Sequence, residues 1–577
     1  MHHPRIAKYL ELCMRIQDLP RHLGQHSGGM VICQGQLNQV VPLERASMPG
    51  RTVVQWDKED CADLGIIKVD LLGLGMLNAI EEMVPIIHTR EGTRLDLAHL
   101  PPDDPLVYKM LREADTVGVF QVESRAQMSS LPRNNPHHFY DLVIQVAIIR
   151  PGPIAGNMTN PYFERRAGRQ PVTYPHPSLE PILARTLGVP IFQEQLLRIA
   201  MVAAGFTGGE AEELRRAMGF KRSVERMRAI ETRLRSGMEA RGITGEAQEG
   251  IVQGITSFAL YGFPESHAAS FALIAYASAY LKAYHPTAFY LGILNAWPMG
   301  FYHPATLVRD AQRHGVEIRP LDVQRSGWRC RWEDRQAASA APSRPAGAIR
   351  LGLRFVRGLR SRSALVVEEE QARAPFADLG DFTGRCALQA GEIETLASIG
   401  ALSCFGLSRR GALWQTARLV RPAGPLLAEL PEPEPSPLPE MSPAEETQAD
   451  YGGTQMTLGP HPLSYRREQL RRRGIVTAAD LVRYRHGDLV RTAGAVIVRQ
   501  RPGTAKGLLF LTLEDETGMS QAIISPDLLQ QHRQLIVGSP GLVVEGKLQK
   551  RDGSISVRGE RFWAIEEMLA VPSHDFR

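Results

Sequence analysis

The run Gly65-Ile66-Ile67-Lys68-Val69-Asp70-Leu71-Leu72-Gly73-Leu74 decides how this chain is read. A glycine opens a short apolar, β-branched stretch, which predicts a strand. On a strand, positions i and i+2 face the same side, so Lys68 and Asp70 project together. Two readings stand. In one, the carboxylate takes a metal ion and the ammonium takes a triphosphate oxygen. In the other, the two are a surface ion pair at a strand end. Metal-assisted phosphoryl transfer wants several carboxylates converging on two ions. Residues 1–69 contain no Asp-x-Asp pair.

Outward from this run, residues 24–78 continue in short apolar stretches bounded by Gly and Pro. Gly29-Met30-Val31-Ile32 and Arg51-Thr52-Val53-Val54-Gln55-Trp56 read as strands. Before them, 1–23 carries an amphipathic helix from Ile6 to Leu19. From Leu77 to about residue 325 the pattern is mainly helical, broken by Arg150-Pro151-Gly152-Pro153 and Tyr261-Gly262-Phe263-Pro264. The apolar run 268–284 carries Lys282 and reads as a buried helix, its Phe271, Tyr276, Tyr280 and Tyr284 as core. Residues 337–347 read as a surface loop or hairpin tip. A second helical block covers 349–420, a Pro/Glu/Ser-rich linker 422–453, and a short helical piece 461–486. The last part is β-rich, with strands at 492–499, 507–515, 520–524, 541–549 and 554–563. A helix at 526–535 after the third strand points to an OB-type barrel.

At 577 residues the chain exceeds one core, and about three to five domains are expected. Net charge is only +5, from 67 basic and 62 acidic residues, so distribution matters more than the sum. Arginines pair at 165–166, 215–216 and 409–410 and triple at 471–473, whereas acids gather near 429–446. The six cysteines include no C-x-x-C pair, which excludes zinc-ribbon and thioredoxin chemistry and fits a reduced cytoplasm. No stretch approaches the ~18 apolar residues of a membrane span, and no signal-peptide core opens the chain.

Several basic groups are candidates for phosphate. Leu214-Arg215-Arg216-Ala217-Met218-Gly219-Phe220-Lys221-Arg222 places four cations within about two helical turns. They form either a phosphate clamp or a solvated helix end. His267 opens the next helix and reads either as a phosphate donor or as a packed cap. Arg150 stands in a stiff turn. The hairpin Val356-Arg357-Gly358-Leu359-Arg360 is of a kind that offers backbone N–H groups to DNA phosphate. The barrel carries Arg499, Arg501, Lys506, Lys547, Lys550, Arg551, Arg558 and Arg561, with Phe510, Phe562 and Trp563 as the aromatics. Glu514-Asp515-Glu516 reads as a solvated acidic loop rather than a metal site.

Taken together, these motifs resemble the bacterial C-family replicative polymerase α subunit, and within it the error-prone, damage-induced branch. The resemblance rests on His26-Ser27-Gly28-Gly29, the 68–74 run, Gly118-Val119-Phe120-Gln121-Val122-Glu123-Ser124-Arg125, Arg150-Pro151-Gly152-Pro153, Gln193-Glu194-Gln195, Leu214–Met218 and Tyr261-Gly262-Phe263 with Ser266-His267. Ala449-Asp450-Tyr451, Leu458-Gly459-Pro460-His461-Pro462, the run 499–507 and the terminal Ser573-His574-Asp575-Phe576 suggest the error-prone branch.

The resemblance implies a multidomain α+β protein. Its parts would be a thumb/palm junction helix at 1–23, a partial palm with a mixed sheet at 24–78 and mainly helical fingers at 79–325. A helix-hairpin-helix region would follow at 326–421, then a linker at 422–453, a connector at 454–488 and an OB-fold domain with tail at 489–577. It implies DNA-directed DNA polymerase chemistry with two Mg²⁺ ions, Asp70 being the third metal-binding carboxylate. Lys68, Arg215, Arg216, Tyr261 and His267 would surround the incoming nucleotide. Arg150, Lys221, Arg222, Arg357, Gly358, Arg360, Arg499, Arg501 and Lys506 would touch DNA. The implied partners are primer–template DNA, deoxynucleoside triphosphates, accessory mutagenesis proteins and a sliding clamp, with no membrane.

Three departures from the family accompany the resemblance. The Asp-x-Asp pair and all that precedes it are absent from these residues. Arg360 stands where the family often has a second glycine. Gln455-Met456-Thr457-Leu458 matches a clamp motif only loosely, which points to clamp access through accessory proteins. The alternatives are a catalytically incomplete DNA-binding fragment or one part of a split polymerase, and, further off, an independent single-strand binder. A partial palm is expected to leave open strand edges.

Overall fold

The computed structural model describes residues 4–16, 29–46, 50–56, 58–70, 75–149, 159–219, 224–258, 263–335, 347–419, 436–501, 507–565 and 574–576. The chain forms two units, Met1–Leu74 and Gly75–Arg577.

In the first unit, helix Pro4–Arg15 is amphipathic but buries none of its residues. Four short strands follow: β1 (Gly29–Ile32), β2 (Leu43–Arg45), β3 (Thr52–Val54) and β4 (Ile67–Asp70). They pair as two antiparallel ribbons, β1 with β4 and β2 with β3. Met30 lies opposite Val69, and Ile32 opposite Ile67, so these four share one ribbon face. Met30, Ile32 and Ile67 are each more than half exposed on it.

The second unit is built on helix Glu265–Tyr284, which buries Lys282 along with its alanines and Tyr276. It packs against helices Pro105–Arg112, Phe139–Ile148 and Pro286–Ala296. Helix Gly75–Ile86 closes on Pro286–Ala296 at Gly292, where a Cβ would meet the Ala79 carbonyl oxygen at 2.9 Å. The aromatic stripe is mostly core: Tyr276 is buried, Phe271 and Tyr280 half-buried, and only Tyr284 substantially exposed. The Tyr276 hydroxyl accepts from Asp104 N and donates to the Pro101 carbonyl, which ties the stripe to the start of helix Pro105–Arg112.

Next comes a three-stranded sheet in the order β5 (Glu317–Arg319), β7 (Ala348–Arg350), β6 (Arg331–Glu333), parallel then antiparallel. Glu333 receives Arg350 and Arg319 across it. Helices Ser361–Arg373, Leu379–Cys386, Ala390–Ser398 and Arg409–Leu419 follow, with glycines at φ +79° (Gly358) and +78° (Gly400) in the turns. The Pro/Glu-rich segment departs from the expected linker: Pro443–Thr454 is a helix. Ser442 caps it and Glu445 completes a capping box behind Pro443. Composition hid a start signal that the residues carried.

The barrel comprises β8 (Leu489–Gln500), β9 (Leu509–Glu514), β10 (Met519–Ile524), β11 (Gly541–Arg551) and β12 (Ser554–Ala564). Antiparallel pairs β8–β9, β9–β10, β11–β12 and β8–β11 and the parallel pair β10–β12 close it. Leu509, Leu511, Leu513, Leu542, Val544 and Val557 fill its interior. β8 bends at a bulge between Val496 and Val498, so one strand pairs with β11 by its first half and β9 by its second. A short β13 (His574–Phe576) adds in parallel to the end of β8.

Candidate nucleic-acid interface

The β1–β4 register puts positions 68 and 70 on the ribbon face away from Met30, Ile32 and Ile67. Lys68 is exposed there, opposite Val31, and Asp70 ends the strand opposite Gly29. The Asp70 side chain lies outside the described residues. Mg²⁺ demands near-octahedral oxygen ligation, and a two-ion site needs several carboxylates. Positions 68 and 70 offer one. The described residues alone therefore do not fit a two-ion site.

Among the described residues, the one acidic group close enough to hold a metal is Asp115, Asp310 and His314 in the second unit. Its centre is already occupied by a cation. Lys282 Nζ lies 2.9 Å from both Asp115 Oδ1 and Asp310 Oδ2 and donates to the Val117 carbonyl at 3.1 Å. Tyr290 donates to Asp310 at 2.6 Å, and His314 Nε2 stands 2.6 Å from Asp115. Burial opposes the Lys282 charge, yet Asp310 and Asp115 raise its pKa. Burial likewise opposes the Asp115 charge, and His314 and Lys282 hold that carboxyl well below the usual range. This is a balanced ionic core rather than a metal centre.

Of the nucleotide candidates, Arg215 and Arg216 lie in helix Gly208–Gly219, their side chains outside the described residues. Tyr261, Arg150, Lys221, Arg222 and Lys506 also lie outside the described residues. His267 is the third residue of helix Glu265–Tyr284 and is exposed, its ring 5.1 Å from Phe263 and 4.1 Å from Phe271. Nearby, Glu194 accepts from Glu265 N at 2.8 Å. Gln195 is a buried clasp, accepting from Ile191 N and Phe192 N and donating to Thr186 Oγ1.

In the hairpin, Arg357 N donates to the Gly453 carbonyl at 2.7 Å, and Gly358 is exposed. Arg360 is fastened to Glu392: its N and Nε lie 3.0 Å from Oε1 and its Nη2 3.0 Å from Oε2. Burial opposes the Glu392 charge, but Arg360 and the backbone donors bring its pKa down to about 2. Arg360 thus works first as an anchor for the hairpin. Arg409 and Arg410 are likewise answered, by Asp450 and Glu445 of helix Pro443–Thr454, each at 2.7 Å. The loose clamp match is not a free peptide, because Met456 and Thr457 are buried.

Two expectations for the barrel are corrected. Arg499 is buried and donates to the Ile536 and Ser539 carbonyls, so it secures the helix after β10 and is not available to DNA. Arg501 remains exposed. Glu514-Asp515-Glu516 is not solvated either. Arg313 reaches Glu514 at 2.8 Å, Arg467 pairs with Glu516, and Asp515 accepts from Ala478 N and Thr517 N. The reason is docking: the barrel packs on the helical body, whose core includes Ala495, Ile497 and Val498 of β8.

The run Gly118–Arg125 carries two charges with structural roles. Glu123 accepts from Gly118 N at 2.9 Å and Phe301 N at 2.8 Å, and burial pushes its pKa up to about 7. Arg125 crosses to the barrel and donates to Thr512 Oγ1 at 2.8 Å. Gly118 lies within the same run, but Phe301 and Thr512 are remote in sequence and no local signal marks them.

Comparison with known proteins agrees with this architecture. Residues 76–242 match the bacterial DNA polymerase III alpha subunit finger domain, and 1–73 the bacterial DNA polymerase III alpha NTPase domain. Residues 315–412 match a helix-hairpin-helix motif and 490–565 an OB-fold nucleic acid binding domain. The error-prone DNA polymerase of Anaeromyxobacter dehalogenans (strain 2CP-C) is 47% identical over 99% of this chain and 51% of its own length. That of Azoarcus sp. (strain BH72) is 48% identical over 99% and 54%, and that of Methylococcus capsulatus (strain Bath) 46% over 100% and 56%. The chain spans about half the length of the curated relatives it matches. Matched at this level along nearly all of its own length, the chain belongs to the bacterial DNA polymerase III α family, in its error-prone branch.

Proposed function

We propose that this chain provides the nucleotide- and DNA-holding part of an error-prone DNA polymerase acting in damage-induced mutagenesis, translesion synthesis and repair. The observation that carries this is the near-complete match of its length to error-prone DNA polymerases at 46–48% identity. In this reading 24–78 is the palm's last part, 79–325 the fingers, 326–421 the duplex-gripping region and 489–577 the OB domain. Asp70 would supply one oxygen ligand to a Mg²⁺ ion, whose chemistry there would be to neutralise phosphate charge, and the described residues alone do not complete that site. Lys68, Arg215, Arg216, Tyr261 and His267 face the incoming nucleotide. Arg150, Lys221, Arg222, Arg357, Gly358 and Arg501 follow the primer–template, and Lys506 joins them. Arg360 contributes through the hairpin it anchors. Access to a sliding clamp runs through accessory proteins, a reading supported by the burial of Met456 and Thr457. No helix among the described residues is long and apolar enough to cross a membrane, and a cytoplasmic setting is proposed.

A second reading is favoured by the single carboxylate at positions 68–70: the chain binds primer–template but extends it only when further carboxylates are supplied. Its binding is then salt-sensitive, because cationic contacts release counterions. Primer extension by this chain with Mg²⁺ and four deoxynucleotides, beside Asp70→Ala, separates the two. Extension lost in the variant supports a complete site. Binding without extension supports the second reading. Neither binding nor extension sinks both.

A further inference from the structure

Helix Pro443–Thr454 lies against helix Ala390–Ser398, and one end of the contact is tight. At Gly453 a Cβ would stand 2.3 Å from Ile399 Cγ2, so only the missing side chain permits the approach. Toward Pro443 and Glu446 the same elements do not close. Two adjoining hollows of about 140 and 330 Å³ remain there, sharing Pro320, Leu321, Ile399, Arg409 and Glu446 as lining. Together they make one groove with unlike ends.

The smaller end is mainly apolar, lined by Leu351, Met456, Leu458 and Tyr465. Its volume is close to the ~150 Å³ of an apolar cavity that takes up benzene, so one branched or aromatic side chain would fill it. The larger end is acidic. Asp322 and Glu440 line it, and Glu446 stands where the two ends meet. Glu440 is exposed, and the Glu446 side chain is 47% exposed. Arg409 is the one cation in the lining among the described residues, and it is already engaged. Its side chain is 18% exposed, and it donates to Asp450 at 2.7 Å and to the Ser398 and Glu446 carbonyls. Arg410 next to it is bound to Glu445. The groove thus sets an unbalanced negative charge beside an apolar hollow.

We propose that this groove docks a short peptide segment of another protein. An aliphatic or aromatic residue of the segment enters the apolar hollow as its anchor, and a lysine or arginine beside it meets Glu440, Glu446 and Asp322. Charge complementarity selects such a segment and repels like-charged ones. Two rival occupants share the groove's own sign. DNA is a polyanion, and the chain's run 429–434 carries Glu429, Glu432 and Glu434 with no cation. Docking of this kind does not depend on the DNA-holding reading above.

The test is panning of a random-peptide phage library on the immobilised whole chain, then fluorescence anisotropy of the enriched peptide on the chain in solution. Enriched sequences should pair a lysine or arginine with an aliphatic or aromatic residue. Affinity should fall about tenfold in the doubly reversed variant Glu440→Lys with Glu446→Lys. It should fall less in Glu440→Gln with Glu446→Gln. Alanine in place of the peptide's apolar residue should cost about tenfold as well. Excess unlabelled oligo-dT or duplex should leave the peptide bound. No enriched sequence, or enriched acidic ones, overturns the proposal, whether the groove is held by the chain's own acidic run or by nothing. Affinity untouched by the reversed pair overturns it too. So does displacement of the peptide by DNA, which would give the groove to nucleic acid. Self-association lost in the reversed pair, with no peptide bound, would give it to a second copy of the chain. A chain that takes the peptide but no DNA sinks the DNA-holding reading and supports this one.

Discussion

The two units treat apolar surface in opposite ways. In the first, the strands among the described residues come only in pairs, Met30, Ile32 and Ile67 are more than half exposed, and helix Pro4–Arg15 buries nothing. In the second, helix Glu265–Tyr284 buries even an ammonium, with two carboxylates and a carbonyl to receive it. Isolated two-stranded ribbons are marginal in water, and their free edges invite further pairing. The unit that carries Asp70 thus gains least from its own packing. The unit that carries the helix-hairpin-helix and OB-fold elements is closed upon itself. A chemical motif and a self-sufficient core need not reside in the same stretch of chain.

The hardest test of that contrast is Lys282→Met. It removes the charge that balances Asp115 and Asp310, stranding the buried Asp310 inside the body and leaving the part-exposed Asp115 to His314 alone. Breaking a buried ionic cluster from one side costs about 3–5 kcal/mol, read as a drop in the urea midpoint by tryptophan fluorescence. A shift no larger than that of a surface variant would mean the second unit is not held as argued.

The next effect is a pH slope. Glu123 has a pKa raised from 4.5 to about 7 by burial, so folding disfavours its charged form. Its contribution is full below pH 4.5 and is lost as pH rises through about 7. Glu123→Gln keeps an oxygen acceptor for only one of Gly118 N and Phe301 N, a loss that does not vary with pH, and cannot ionise. The melting-temperature difference between parent and variant should therefore move in the variant's favour across that window. A difference flat in pH would place the charge elsewhere.

Much of this contrast was legible in the sequence, and all but one of the misses share a cause, partners remote in sequence. The barrel strands announced themselves because alternation and turn glycines are local. So did the buried helix with its lone Lys282, and the shared face of positions 68 and 70. The acidic turn 514–516 was misread because Arg313 and Arg467 answer it from other elements. Arg499 was misread because its acceptors lie beyond the next two strands, at Ile536 and Ser539. Helix Pro443–Thr454 was hidden by composition although Ser442 and Glu445 spell its cap. Covering of the β9–β10 face had no local sign at all, since Arg125 and Thr512 are far apart in sequence.

A smaller effect belongs to Glu392, which fastens Arg360 and the hairpin. Its pKa is lowered from 4.5 to about 2, so its contribution is present above pH 4.5 and is lost as pH falls through about 2. Glu392→Gln should cost about 1–3 kcal/mol near neutral pH, by chemical unfolding, and the gap to the parent should narrow on acidification. A gap that widens with acid would show that the Arg360 pair is not the source.

The smallest effect is the most pointed for the comparison. Met30 and Ile67 share the open ribbon face, so Met30→Gln with Ile67→Thr removes apolar surface that is already in water. Exposed substitutions of this kind change stability by within about 0.5 kcal/mol. What should change is association, because a flat apolar ribbon with free edges is a pairing template. Light scattering of the concentrated chain should fall in the double variant while its melting curve stays put. A large loss of stability would instead mean that the ribbon face is packed in solution. In that case the two units would treat apolar surface alike.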